Sequence, residues 1–103
     1  MSSRTEVFAA LGDENRARLL ESLAGGATSA TSLAGPLGIS RQAVDKHLRV
    51  LERAGLVHSL RAGRELHWDV RAEALAETAR WLETLAGAWD RRLDAARRAA
   101  ENS

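Results

Sequence analysis

The last third of the chain constrains its fold most strongly. From Ala72 to Ala100 the apolar residues Leu75, Ala79, Leu82, Ala86, Trp89, Leu93, Ala96 and Ala100 step alternately by four and three, the spacing of a helix with one continuous apolar seam. Trp81, Leu85 and Ala88 lie alongside it. A helix over 72–100 runs roughly 43 Å at about 1.5 Å per residue. A chain of 103 residues and 11.2 kDa suits one compact domain, 1–103, that is no wider than this rod. Its own core cannot cover the whole seam, so the helix needs a partner, and an identical chain is the economical one. The competing reading folds the helix back over Phe8 and Leu11 of the same protomer, and the two readings are compatible if different faces are used. Gly87 costs the helix about 1 kcal/mol relative to alanine, whereas burying Leu82, Trp89 and Leu93 returns roughly 1.5 to 3 kcal/mol each.

Upstream of residue 72 the pattern is of short helices and then a change of period. Val7, Phe8 and Leu11 show helical spacing that Gly12 interrupts. Asp13 caps a second helix running to about Ala24, with Leu20 and Leu23 or Leu19 inward. Gly25-Gly26 ends it. Thr28 offers its hydroxyl to a short helix from Ser29 to about Gly35, which Pro36 stops or kinks. After a turn at Gly38-Ile39, Ser40 caps a helix from Arg41 to Ala54 that Gly55 closes. The last two helices form a helix-turn-helix over 29–54. Beyond Gly55 the pattern turns extended, and residues 56–70 read as a hairpin with Ala62-Gly63 at its tip. That loop sets Arg61 opposite Arg64, Val57 opposite Trp68 and His58 opposite His67. The first four or five residues and Glu101 to Ser103 read as disordered.

The charge is unevenly placed. Residues 41 to 64 hold six basic side chains against two acidic ones, while the remainder holds nine basic against twelve acidic. All of the positive excess therefore sits on the second helix of the pair and the hairpin, as an anionic polymer requires of its docking face. On a helical wheel Val44, Leu48 and Leu51 share one side of 41–54, and Gln42, Lys46, Arg49 and Arg53 share the other. One face is anchored and the other offers an amide and cations outward. Such a face suits an anionic polymer. A protein-binding module without DNA binding accounts for the seam but not for this basic segment.

Other chemistry finds little support. There is no cysteine, which removes thiolate metal sites and redox switches. No run has signal-peptide character or approaches the roughly 18 apolar residues of a membrane span, so a cytoplasmic protein with no membrane association is expected. No serine lies in a nucleophile motif and no glycine stretch has a phosphate-loop pattern. Neither an enzyme nor a cofactor is expected. His47 either contacts DNA or fills the flank of its helix. His58 and His67, with Glu65 and Asp69 on the same face, form either a weak zinc or nickel site, which would make the protein metal-responsive, or a pair titrating near neutral pH. A structural metal site usually takes four ligands, so none is assigned.

The order of helix, helix, helix-turn-helix, hairpin wing and long helix resembles the winged helix-turn-helix regulators of the ArsR family. The likeness is carried by VFAALGDENRARLLESLAGG at 7–26, ISRQAVDKHLRVLERAGLV at 39–57 and RAGRELHW at 61–68. The tail WLETLAGAWDRRLD at 81–94 is similar to a cysteine-free subgroup. The resemblance implies a mainly α fold with a small β-hairpin wing over 56–70 and a C-terminal dimerisation helix over 72–100. It also implies double-stranded DNA as the partner, bound by a homodimeric repressor at a palindromic operator and released by an effector that the chain does not identify. Carried over by position, DNA-reading residues fall on Ser40, Arg41, Gln42, Ala43, Lys46 and His47. Backbone-clamping residues fall on Thr28, Ser29, Arg61 and Arg64, and the dimer seam on Leu75, Ala79, Leu82, Ala86, Trp89 and Leu93. Asp45 stands where many relatives have serine, and its carboxylate is repelled by DNA unless it accepts from cytosine or pairs with Arg41 or Arg49.

Overall fold

The computed structural model describes residues 3–102. Five helices and three strands follow in the order α1 (Arg4–Leu11), α2 (Glu14–Leu23), β1 (Thr28–Ser29), α3 (Ala30–Leu37), α4 (Arg41–Arg53), β2 (Val57–Ala62), β3 (Glu65–Val70) and α5 (Ala72–Glu101). Four helices begin in the same way, with a short oxygen-bearing side chain accepting from the backbone N–H three residues on. Ser3 accepts from Glu6, Asp13 from Arg16, Ser29 from Ser32 and Ser40 from Ala43, at 3.1 to 3.2 Å. Each cap satisfies a donor that the first helical turn leaves unpaired. Arg4, Thr5 and Glu101 are helical, so order extends further at both ends than the sequence suggests. Met1, Ser2 and Ser103 lie outside the described residues.

The core is built from the inner stripes of α2, α3 and α4 closed by the sheet. Leu19, Leu23, Leu33, Val44, Leu48, Leu51, Leu56, Val57 and Trp68 are all buried. The end of α4 is fixed by two bonds: the Gly55 N–H donates to Glu52 C=O at 2.9 Å and the Leu56 N–H to Leu51 C=O at 3.0 Å. With Gly55 at φ +78° this is a Schellman closure, and it drives Leu56 straight back into the core. From there the Leu56 carbonyl accepts from the Arg71 N–H at 2.8 Å, tying the exit of β3 to the exit of α4.

Three expectations need correction. The sheet has three strands in the order β1-β3-β2. Thr28 pairs with Trp68 and Ser29 with His67, so Thr28 is a strand residue and the α3 cap belongs to Ser29. Pro36 does not stop α3, which continues to Leu37. Proline crowds the Cβ of the residue before it, and Gly35 has none, so only one helical donor is lost. Finally, the hairpin loop is Gly63-Arg64, with Ala62 opposite Glu65, Arg61 opposite Leu66, His58 opposite Asp69 and Val57 opposite Val70. Gly63 has φ +63° while Arg64 does not enter the positive-φ region. A two-residue loop of that kind places glycine first, and this moves the pairing away from the arrangement of Arg61 against Arg64.

The first turns of α5 dock on the body. Ala74 and Leu75 pack against the core, and the Trp81 ring meets Phe8 at 5.5 Å between centroids, with the Arg4 guanidinium 4.4 Å over the same ring. The rest of the rod projects outward, which stretches the molecule to 69 × 28 × 22 Å. No helix among the described residues is long and apolar enough to cross a membrane.

Candidate nucleic-acid interface

Helix α4 is held by Val44, Leu48 and Leu51, all at 0% exposure, so its opposite face must point outward. Gln42 and Lys46 are exposed there, Arg41 is exposed at the helix N-terminus on the side of the buried stripe, and Ala43 is half-buried. The N-terminus of α4 is exposed as well, where the Ser40 hydroxyl accepts from the Ala43 N–H at 3.1 Å. Gln42 and Lys46 thus occupy one accessible patch over the first two turns, with Arg41 at the N-terminal end of the helix, on a helix that cannot roll without breaking the core.

The flanking side chains of α4 are engaged. The carboxylate of Asp45 lies 3.8 Å from Arg49 Nε, and Glu52 lies 3.5 Å from Arg49 Nη1. The pairing of Asp45 is therefore with Arg49. That guanidinium also sits 5.2 Å from the ring centroid of buried Trp68 on β3. His47 turns toward α2, its Nδ1 3.5 Å from Arg16 Nη1 and 4.0 Å from Asp13 Oδ1. Arg16 in turn donates through Nε to Ala10 C=O at 2.6 Å and through Nη2 to Ala9 C=O at 3.3 Å. His47 is thus part of a strut between the end of α1, the start of α2 and α4. Sequence reasoning missed this strut, whose carbonyl acceptors carry no sequence signature.

Beside α4 stands the wing. Arg61, Ala62, Gly63, Arg64 and Glu65 are all exposed, so both tip arginines are accessible although they do not face one another. Thr28 is half-buried in β1, and Ser29 is buried with its hydroxyl accepting from Ser32 N–H and donating to Ser32 Oγ at 3.1 Å. What this corner presents outward is the start of α3, with its unpaired backbone donors and partial positive charge. On the outer face of the wing, His67 Nε2 lies 3.3 Å from Glu65 Oε2, while His58 is opposite Asp69. The cross-strand pairing of His58 with His67 does not form. Among the described residues no group of three His, Cys, Asp or Glu side chains could hold a metal ion.

The seam residues divide between two surroundings. Leu75 is partly buried against its own protomer. Leu82, Leu85, Trp89 and Leu93 are 41 to 54% exposed, and Ala79 and Ala86 are exposed too. No residue of α5 is buried.

Comparison with known proteins agrees with this geometry. A helix-turn-helix domain family matches residues 11–59. An ArsR-like transcriptional regulator from Rhodococcus sp. RHA1 shares 47% of its sequence, with 88% of this chain and 86% of the other covered at a TM-score of 0.77. The transcriptional repressor SdpR of Bacillus subtilis is 28% identical over 76 residues, which is 74% of this chain and 84% of that protein. The homodimeric winged helix-turn-helix DNA-binding domain of a possible ArsR-family regulator from Mycobacterium bovis shares the fold, with a TM-score of 0.67 at 24% identity over 81% of this chain and 77% of that one. An outward-facing α4, a basic wing and 47% identity across nearly the whole fold lead to one conclusion: the chain belongs to the ArsR-like family and is a DNA-binding transcriptional regulator.

Proposed function

We propose that the chain is a single winged-helix domain that represses transcription by binding a palindromic operator as a homodimer. The observation that carries this reading is the rigid display of Gln42 and Lys46 on α4, opposite a fully buried Val44-Leu48-Leu51 stripe, with Arg41 exposed at the N-terminus of the same helix. In this reading α4 enters the major groove. Gln42 pairs with adenine N6 and N7, Arg41 or Lys46 with guanine O6 and N7, and the Ala43 methyl meets thymine. Ser40 and His47 support that edge. Arg61 and Arg64 at the wing tip meet phosphates or a narrow minor groove, and the backbone donors behind Thr28 and Ser29 hold another phosphate. The exposed stripe of Leu82, Ala86, Trp89 and Leu93, continued by Leu75 and Ala79, pairs with that of a second copy. Two α4 helices then stand about 34 Å apart, one turn of DNA. Regulation proceeds by binding alone, without catalysis, at DNA in the cytoplasm. The name of the Bacillus subtilis relative supports the repressor assignment, and the homodimeric Mycobacterium bovis domain supports the assembly.

Gel-shift titration against the protein's own upstream region tests the reading. A dimer making six to ten phosphate contacts loses on the order of 10³ to 10⁵ in affinity between 50 and 200 mM salt, and a flat response refutes it. Gln42→Ala relaxes base preference, whereas Arg64→Ala weakens all sequences alike. Identical behaviour of the two variants refutes the division of roles.

A further inference from the structure

Arg49, on the basic face of α4, is not free to meet DNA. Arg49 has a carboxylate on either side, Asp45 one turn before it and Glu52 one turn after, at 3.8 and 3.5 Å. Its guanidinium lies over the Trp68 ring at 5.2 Å. Three groups from two elements therefore converge on one cation, although its side chain is 47% exposed. A guanidinium flanked by two carboxylates has its charge already offset, so it is a poor phosphate ligand. Its position suits another task, because attraction between a guanidinium and an aromatic ring links the two elements that carry them.

Resting on the DNA-binding reading above, we propose that Arg49 is a positioning residue that sets the angle of the wing against the recognition helix. Asp45 and Glu52 anchor it on α4, and Trp68 is its contact on β3. Trp68 pairs with Ser59 midway along the hairpin. Arg64 lies four residues further out, about 13 Å at roughly 3.3 Å per residue. A rotation of about 10° at Trp68 displaces the tip by roughly 2 Å, enough to break hydrogen bonds that require 2.7 to 3.2 Å. The same contact keeps the Asp45 carboxylate paired while its helix approaches an anionic duplex. Arg49 thus serves binding without touching the nucleic acid.

The test uses the full chain and a duplex enriched by the wild-type protein from a random-sequence pool, with an unrelated duplex as control. Arg49→Met keeps the length of the stem and removes the cation. Affinity for the enriched duplex falls about tenfold and that for the unrelated duplex falls with it, as misplaced phosphate contacts require, and Arg49→Lys recovers part of both losses. In an Arg61→Ala/Arg64→Ala background, Arg49→Met adds less than a further twofold loss, because no wing cation remains to be misplaced. A direct phosphate contact behaves differently: in that background the loss persists and Arg49→Met still lowers the salt slope by about one. Either result overturns the proposal. Emission from Trp68, isolated by Trp81→Phe and Trp89→Phe, provides a second measure that does not depend on DNA. It changes with Arg49→Met and not with Lys46→Met, and unchanged emission in both also overturns the proposal. If the wild-type chain enriches no duplex, the DNA-binding reading falls and the positioning role with it. If enrichment succeeds and the Arg49 variants bind like wild type, only the positioning role falls.

Discussion

Phe8 and Trp81 meet as a tilted ring pair, 5.5 Å between centroids and 56° between planes, and past this contact every residue of α5 except Gly87 is exposed. The pair divides one helix into a docked part and a projecting part. The projecting part carries Leu82, Leu85, Trp89 and Leu93, each worth roughly 1.5 to 3 kcal/mol when covered. Trp89→Lys combined with Leu93→Lys is therefore expected to convert a species of twice 11.2 kDa into a single chain in sedimentation. Operator affinity drops by at least about a hundredfold, because two half-sites no longer bind as one unit. A variant that sediments as a dimer contradicts the assignment of the seam.

Acid stability is expected to depend on Asp13. The Arg16 backbone N–H that donates to its side chain holds the carboxyl below its ordinary value of 3.8; desolvation opposes the fall, and the charges of Arg16 and His47 add to it. A carboxylate whose folded pKa is depressed contributes stability above its unfolded pKa and loses it as pH falls through the lower, folded value. Asp13→Asn retains a capping oxygen but not this charge. Urea midpoints measured from about pH 7 to about pH 2 should show wild type ahead at neutral pH and the two proteins converging in acid. Parallel curves contradict the role of Asp13.

Two glycines should respond in opposite directions to alanine. Gly38 closes α3 at φ +68°, its N–H donating to Ala34 C=O at 3.0 Å, and a Cβ there meets nothing within 4 Å. The cost of Gly38→Ala is conformational, about 1 kcal/mol or somewhat more. Gly25 has no positive φ, and its added Cβ lies 3.6 Å from Ser22 O, an ordinary contact. Gly25→Ala is expected to be neutral or to stabilise by up to about 0.5 to 1 kcal/mol, by restricting the unfolded chain. Urea unfolding of both variants checks the difference in sign.

Ser40 joins stability to binding. Ser40→Ala removes the α4 cap and is expected to cost about 1 kcal/mol in urea unfolding. Ser40→Asp keeps the cap and the stability, yet adds an anion at the edge of the docking face. Its unfolding curve should match wild type while its operator affinity falls, most strongly at low salt. Loss of stability in both variants would mean that the hydroxyl does more than cap.

Much of this was legible in the chain because the decisive signals are local. The buried stripe of α4, its Ser40 cap and its Gly55 closure depend on spacing and on single residue types, and the long helix follows from its seam. The hairpin was legible as a hairpin, but its pairing depended on whether Gly63 stands first or second in the loop, which residue types alone did not decide. Strand β1 is two residues long and has no period to read; it exists through its pairing with Trp68 and His67. The Asp45–Arg49 pair was legible as one of two alternatives, but the contacts of Arg49 with Trp68 and of His47 with Arg16 and Asp13 were hidden for a similar reason. A wheel shows which way a side chain leaves its helix, but not the ring of Trp68, or the α2 cap Asp13 and the α2 side chain Arg16, that meet it.

Helix α3 runs through Pro36 because the neighbour before it lacks a Cβ. This ties the fate of two adjacent codons: any side chain acquired at position 35 would turn a tolerated proline into a helix breaker, and only the loss of Pro36 would then make the exchange harmless. In lineages descending from such a chain, a side chain at position 35 should therefore appear only where Pro36 has already been lost, whereas Pro36 is free to change while Gly35 stays.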